Sequence, residues 1–271
     1  MSEPPRRWRE HGLAPRLITI AVGAPALIAL LWAGGWWLVA AVCVLAAVAA
    51  QEFRRLVDAV GYRSSPVLLA GALAFPVLAG VGRWDAAGPV VVAVVLAAAA
   101  CGLTASRREG APSGVAVDTL GALYVGALFA HLILMRAEIG LAAVLSVLGI
   151  IWANDIAAYL VGGTLGRRKL APAISPGKSV EGFVGGLAAA VVVAMAAGAW
   201  QGWPVGLLGL IGLAVALAGA VGDLSKSTMK RAAGVKDSGA ALPGHGGVLD
   251  RFDAVLFGVP AGYYLWRWLI V

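Results

Sequence analysis

The chain predicts an all-α protein that crosses a lipid bilayer several times, and three observations carry that expectation. Of its 271 residues, 61% are hydrophobic and only 13% charged, against roughly 25% charged in an ordinary soluble domain. Mean hydropathy is +0.88. Two stretches without a charge, 35 residues from Leu17 to Gln51 and 41 residues from Gly182 to Gly222, each exceed the roughly 20 apolar residues that cross a bilayer as one helix. So few charged side chains cannot cover a soluble globule of this size.

A basic head at residues 1–12 precedes the first run. That run is longer than the roughly 7–15 apolar residues of a signal peptide, so it reads as a retained anchor. It divides near Gly34-Gly35 into helices at 17–33 and 36–53. Further helices are expected near 66–82, 87–105 and 115–135, and a sixth starts after Glu138 and passes Asn154 and Asp155 to about 161. The long run from Gly182, interrupted at Gln201-Gly-Trp-Pro204, supplies a seventh and an eighth, and 252–271 a ninth. The density of alanine and glycine suits close helix packing in lipid.

Basic residues orient these spans. With the N-terminus in the cytoplasm, 18 of the 21 Lys and Arg residues fall on the inner side, and only Arg83, Arg136 and Arg267 fall outside. That asymmetry is a positive-inside signal for nine spans, with the C-terminus outside. Trp200, Trp203, Trp266 and Trp268 are placed as interfacial anchors. The net charge of +7 then belongs to loops facing anionic headgroups, and no RNA-binding or zinc-finger spacing accompanies it, so nucleic acid is not an expected partner. Cys43 and Cys101 lie in apolar runs and read as buried thiols rather than a disulfide.

Unusual polar chemistry is concentrated after residue 150. Residues 1–135 read as a transmembrane scaffold with a short cytoplasmic head, and 136–271 as the region that carries the site. In the latter, Asp223 follows a long apolar run directly and needs a partner, a proton or a metal at that depth. Asp250 and Asp253, three apart, share a face if the last helix begins near Leu249. The three together form an oxygen-rich set suited to Mg²⁺ with substrate phosphates.

Lys226, Lys230, Arg231, Lys236 and Arg251 surround these carboxylates in the sequence. Arginine grips phosphate bidentately and lysine supplies a mobile charge, so the cluster fits metal-assisted phosphoryl chemistry. Gly244, Gly246 and Gly247 permit close backbone approach around His245.

A second patch joins Asn154 and Asp155, at the inner part of a span, to Tyr159, Gly162, Gly163 and Gly166, and then to Ser175-Pro-Gly-Lys-Ser-Val-Glu181. Gly177-Lys178-Ser179 hints at a phosphate loop, but residue 172 is proline where that loop needs glycine, and no strand is expected before it. Lys178 and Ser175 remain candidates for phosphate contact, and Glu181 for capping the seventh helix. His131 reads as a packed histidine, and Asp118 as a helix-start carboxylate needing no further role.

These residues resemble the phosphatidate cytidylyltransferase family. The resemblance runs through Ser227, Lys230, Arg231, Lys236, Asp237, Leu242, Pro243, His245, Gly246, Gly247, Asp250, Arg251 and Asp253. It continues in Asn154, Asp155, Ala158, Tyr159, Ser175, Pro176, Lys178, Glu181, Gly182, Gly185 and Gly186. Ser179 stands where the family usually has threonine, and Gly177 where lysine is frequent. The resemblance implies transfer of a cytidylyl group from CTP to phosphatidic acid, giving CDP-diacylglycerol and pyrophosphate in a cell membrane, with the site facing the cytoplasm.

It further implies Asp223 and Asp250 as Mg²⁺ ligands, with Asp155 and Asp253 as additional candidates, and Lys230 and Arg231 in the catalytic set. Ser175, Lys178, Ser227, Lys236, His245, Gly246, Gly247 and Arg251 are expected to bind substrate phosphates. A second, monovalent cation such as K⁺ and a homodimer belong to the same expectation. The alternatives are a CTP-dependent polyprenol or dolichol kinase, and a secondary transporter using Asp155 and Asp223. The missing internal repeat argues against the transporter.

Overall fold

A computed structural model describes residue 23 and residues 25–104, 111–239 and 246–271. The expected head at 1–12, the first part of the helix at 17–33, Arg107 and Arg108, and Leu242 to His245 lie outside them.

The described chain is a helical bundle. A helical stretch at 25–33 stops at Gly34 (φ 62°) and Gly35 (φ 50°), the expected break, because only glycine holds such positive φ at little cost. Arg136 closes the end of that stretch: its Nε donates to Leu31 O at 2.6 Å and its Nη2 to Trp32 O at 3.3 Å. These carbonyls have no partner within their own helix.

Helix α1 follows at Gly35–Ala59, and α2 at Pro66–Gly80. The Ser65 hydroxyl caps α2 by accepting from Val67 N at 3.1 Å, with Pro66 in the first turn, where a missing N–H costs nothing. Asp118 is not the isolated helix-start residue expected. It is 1% exposed, and its carboxylate accepts from Ser65 N at 2.8 Å and Ser65 Oγ at 2.5 Å, tying its own helix to the cap of α2.

A short 3₁₀ turn at Trp84–Ala86 leads into α3 at Ala87–Thr104. Helix α4 is continuous but uneven, with α turns at Ala111–Gly121, a π segment at Ala122–Ala127, α turns at Leu128–Leu134 and a second π segment at Met135–Ile139. Gly140 (φ 118°) ends it and starts α5, Leu141–Leu165. Helix α5 passes Asn154 and Asp155 without interruption, as expected.

The loop after α5 departs from the all-α expectation. Lys169–Ala171 (β1) and Ser175–Ser179 (β2) pair antiparallel, which places Lys178 on a strand. Ser179 then caps α6, Val180–Gln201, by accepting from Gly182 N at 3.2 Å. Gly202 in the left-handed conformation (φ 73°) stops α6, and α7 runs from Val205 to Ala232. Helix α8 is Leu249–Leu269.

Six helical stretches among the described residues are long and apolar enough to cross a membrane: Gly35–Ala59, Trp84–Leu103, Pro112–Ile139, Leu141–Leu165, Val180–Gln201 and Val205–Ala232. Helix α2 is shorter, with 15 residues, and α8 carries Asp250, Arg251, Asp253 and Arg267.

Helices α5 to α8 pack as one group, and α1 to α4 as another, with α8 touching α1, α4 and α5. Glycine sets the close approaches. A Cβ on Gly182 would stand 2.6 Å from Ala158 O, and one on Gly186 2.7 Å from Asn154 Oδ1. Such contacts bring α6 against α5 without side chains between them.

His131 is packed as expected, 5% exposed, with Nδ1 2.7 Å from Ala127 O and Nε2 3.2 Å from Tyr264 Oη. Trp266 is not an interfacial anchor: it is 1% exposed and stacks edge-to-face on Trp203 at 4.6 Å. Trp200 and Trp268 are exposed.

Candidate active site

The lower ends of α5, α6, α7 and α8, with the β ribbon, enclose a cavity of about 450 Å³. Asp155 enters it from α5, Lys178 from β2, Asp223 and Lys226 from α7, and Asp250 and Asp253 from α8. The two polar patches of the sequence, about 70 residues apart, therefore share one wall. Gly162, Gly163, Gly177 and Gly182 line it too, leaving room where larger side chains would fill it.

Helix geometry explains the grouping. Asp223 and Lys226 are three apart on α7 and face the same way. Asp250 and Asp253 are three apart on α8, which begins at Leu249 as the spacing expected. Gly222 lets the two helices meet, since a Cβ there would stand 2.4 Å from Asp253 O.

Lys226 sits at the centre and is 5% exposed. Its Nζ pairs with Asp253 Oδ2 and stands 3.4 Å from Asp223 Oδ1 and 3.5 Å from Asp250 Oδ1. Lys178 pairs with Asp223 Oδ2. Lys230 reaches Asp250 Oδ1 at 2.6 Å. Charges this poorly solvated persist only when each has an opposite partner, so the wall is a mutually neutralising network of carboxylates and ammonium groups.

Asp250 is also held by backbone. Its Oδ2 accepts from Ser238 N at 2.8 Å, Ser238 Oγ at 2.9 Å and Gly247 N at 3.2 Å. Gly246, at φ 80°, turns the chain so that Gly247 N points at this carboxylate. The sequence reading assigned the glycines to substrate; the structure shows Gly247 N bound to Asp250.

The remaining expected site residues stand elsewhere. Arg231 is exposed, and its Nε donates to Ile174 O at 3.2 Å, which fastens the turn of the ribbon to α7. Ser175 begins β2, Ser227 is half-buried in α7, and Lys236 and Arg251 are exposed; none of them lines the cavity. His245 lies outside the described residues. Glu181 does not line the cavity; it accepts from its own first-turn amide, as a capping residue does, and from Arg167 N at 3.0 Å and Arg168 N at 3.2 Å, holding the base of the ribbon. Because Lys178 lies on an antiparallel ribbon, the phosphate-loop geometry of strand, glycine loop and helix is absent here.

Two residues escaped the sequence reading. Lys226 was seen in the basic cluster but not given a place in the site; its spacing from Asp223 was the available signal. Glu52 in α1 was not singled out at all. It is 1% exposed, and it accepts from Val248 N and Leu249 N, both at 2.9 Å, and from Ser238 Oγ at 3.1 Å.

The donor set suits a hard cation. Among the described residues no three ligating side chains form a ready-made cage. Mg²⁺, however, is commonly held by one or two carboxylates plus substrate phosphates, and Asp223 and Asp250 present carboxylates on the cavity wall. Asp253, like Asp223 and Asp250, has both oxygens engaged, Lys226 on one and Ala254 N on the other at 2.8 Å. Asp155 accepts from Asn154 Nδ2 at 3.3 Å and lines the same cavity.

A sequence profile described as the cytidylyltransferase family matches residues 14–269. A phosphatidate cytidylyltransferase of Bacillus subtilis (strain 168) is 46% identical over 151 residues, 54% of this chain and 56% of the relative. One from Staphylococcus saprophyticus is 44% identical over 139 residues, 51% and 53% of the two chains. These alignments span about half the length of the curated relatives. One from Synechocystis sp. is 31% identical over 288 aligned positions, covering 92% of this chain and 94% of the relative.

Proposed function

The chain belongs to the cytidylyltransferase family, and from that membership we propose that it joins CTP to phosphatidic acid, forming CDP-diacylglycerol and releasing pyrophosphate. The observation that carries this reading is the single cavity in which Lys178, Asp223, Lys226, Asp250 and Asp253 meet. The relatives are phosphatidate cytidylyltransferases, and the cavity has the charge pattern that activity needs.

In this reading an oxygen of the lipid phosphate attacks the α-phosphorus of CTP in line. The new P–O bond forms as the bond to the β-phosphate breaks, and pyrophosphate leaves with the electron pair. No side chain has to become covalently attached, so the work is positioning and charge stabilisation. Lys178 and Lys226 supply ammonium groups at the cavity wall for phosphate oxygens. Lys230 keeps Asp250 ionised and aimed inward. Arg231 and Glu181 hold the ribbon that carries Lys178. Asp223 and Asp250 would hold Mg²⁺, which when bound offsets the negative charge of the triphosphate.

Ser175, Ser227, Lys236 and Arg251, outside the cavity lining, are kept as candidates for substrate contact, and His245 is kept as a candidate from the sequence. The K⁺-type cation and the homodimer implied by the family resemblance are not used in this scheme. Nine spans with the N-terminus inside would put the cavity at the cytoplasmic face of the cell membrane. There it is open to CTP from water and to a diacyl lipid from the side. Residues 136–271 then supply the chemistry and 1–135 the scaffold.

The test is turnover of α-labelled CTP by detergent-purified protein, with and without phosphatidic acid, and with Mg²⁺ or EDTA. The expected result is label in lipid and unlabelled pyrophosphate, dependent on both lipid and metal. Labelled CDP as the nucleotide product, with the label absent from lipid, would replace this reading with a lipid kinase.

A further inference from the structure

Glu52 belongs to the half of the chain farthest in sequence from the cavity, yet its carboxylate reaches the loop that carries Asp250. Its Oε1 accepts from Val248 N, and its Oε2 from Leu249 N and Ser238 Oγ. The amides are those of the N-cap residue and the first residue of α8, where N–H groups have no partner within the helix and the helix dipole favours a negative charge.

Ser238 extends the connection. Its hydroxyl has one hydrogen and stands 3.1 Å from Glu52 Oε2 and 2.9 Å from Asp250 Oδ2, so one group bridges two carboxylates. Glycine closes the loop over this bridge. A Cβ on Gly239 would come 2.7 Å from Glu52 Oε1, and one on Gly247 2.2 Å from Ser238 Oγ and 2.4 Å from Glu52 Oε2.

Among the described residues no Lys or Arg pairs with Glu52; its partners are two amides and a hydroxyl. A carboxylate buried in this way is a costly fastener compared with an apolar contact. What it adds is direction, since two aimed hydrogen bonds from the start of α8 fix the helix's rotation about its axis, and a third ties the carboxylate to Ser238. Asp250 lies in the first turn of that helix.

We infer that Glu52 is a positioning residue that, through Ser238 and the amides at the start of α8, sets where the Asp250 carboxylate stands in the cavity. The consequence for turnover rests on the cytidylyl-transfer reading above; the consequence for local order does not. Glu52→Gln keeps the volume but turns one acceptor into an NH₂ group facing donors. Ser238→Ala removes only the bridging hydroxyl and leaves α1 intact.

The experiment measures kcat and KM for CTP, the Mg²⁺ dependence, and backbone hydrogen exchange of the substrate-free protein for wild type, Glu52→Gln and Ser238→Ala. Loss of a group that orients a metal-binding carboxylate costs about 10–100-fold in activity or metal affinity. The expected result is a kcat loss of that size in Glu52→Gln, a smaller loss in Ser238→Ala, and a shift to higher Mg²⁺ concentration. KM for CTP stays near wild type, and exchange quickens over residues 246–253 but not over α2 and α3.

Wild-type kcat with unchanged exchange over 246–253 would overturn the inference. A kcat loss with faster exchange throughout α1 to α4 would also overturn it, because Glu52 would then be a general stabiliser. A wild-type protein inert toward CTP and phosphatidic acid would sink the reaction reading. In that case the exchange at 246–253 would still decide whether Glu52 holds this turn.

Discussion

Lys226 places one ammonium among three aspartates, so its removal leaves several carboxylates facing each other without their cation. Lys226→Met retains most of the length. Breaking a buried pair from one side costs about 3–5 kcal/mol, and a lower thermal midpoint of the detergent-solubilised protein is the expected reading. Asp250→Asn is expected to act on turnover. Metal-borne charge stabilisation is worth several kcal/mol, so kcat should fall by at least about 100-fold in the CTP assay; retained activity with Mg²⁺ would remove Asp250 from its assigned role. Gly177→Lys tests the one notable departure from the family pattern. A Cβ at Gly177 meets nothing within 4 Å, so the thermal midpoint should hold, and a lower KM for CTP would show that the added ammonium reaches phosphate. At this scale the three aspartates were legible because period and depth both marked them. Glu52 was not: Gln-Glu-Phe at the end of an apolar run looks like the wet end of a helix, and its donors lie 186 to 197 residues away.

Most helices could be read from apolar run length and glycine breaks, and the fold follows those breaks at Gly34, Gly140 and Gly202. The ribbon could not be read so. Strands of 3 and 5 residues carry no usable periodicity, and the prolines and glycine of 172–177 look like loop. The π segments of α4 were hidden too, because an apolar run does not distinguish i→i+4 from i→i+5 hydrogen bonding. Between α5 and α6 the contact depends on absent side chains. Gly186→Val forces carbon into Asn154 Oδ1 and the Asn154 carbonyl, 2.7 and 2.9 Å from the Cβ position. Overpacking of this kind costs about 1–3 kcal/mol, visible as a lower thermal midpoint. Gly149→Ala, in the same helix pair but with nothing within 4 Å, is expected to leave it unchanged.

For the whole molecule the charge asymmetry makes a prediction that geometry alone does not. In a variant with Cys43 and Cys101 replaced by alanine, cysteine placed at the exposed position Lys236 should react with an impermeant thiol reagent from the cytoplasmic side. Cysteine at Trp200, 89% exposed, should react from the opposite side. Labelling of both from one side would overturn the crossing by α7 between them, and exchanged sides would reverse the proposed topology. The six clearly apolar spans were expected from hydropathy; the roles of α2 and α8 depend on how they pack, which composition does not record.

The bond between Glu52 and α8 has a consequence for biosynthesis. The amides that satisfy this carboxylate are 196 and 197 residues further along, so a nascent chain threads six helices into the bilayer before they leave the ribosome. Until then Glu52 has to keep water or a translocation factor as its partner. A ribosome-stalled chain ending before residue 248 should therefore hold α1 in a protease-accessible state, and release of the last helix should close it.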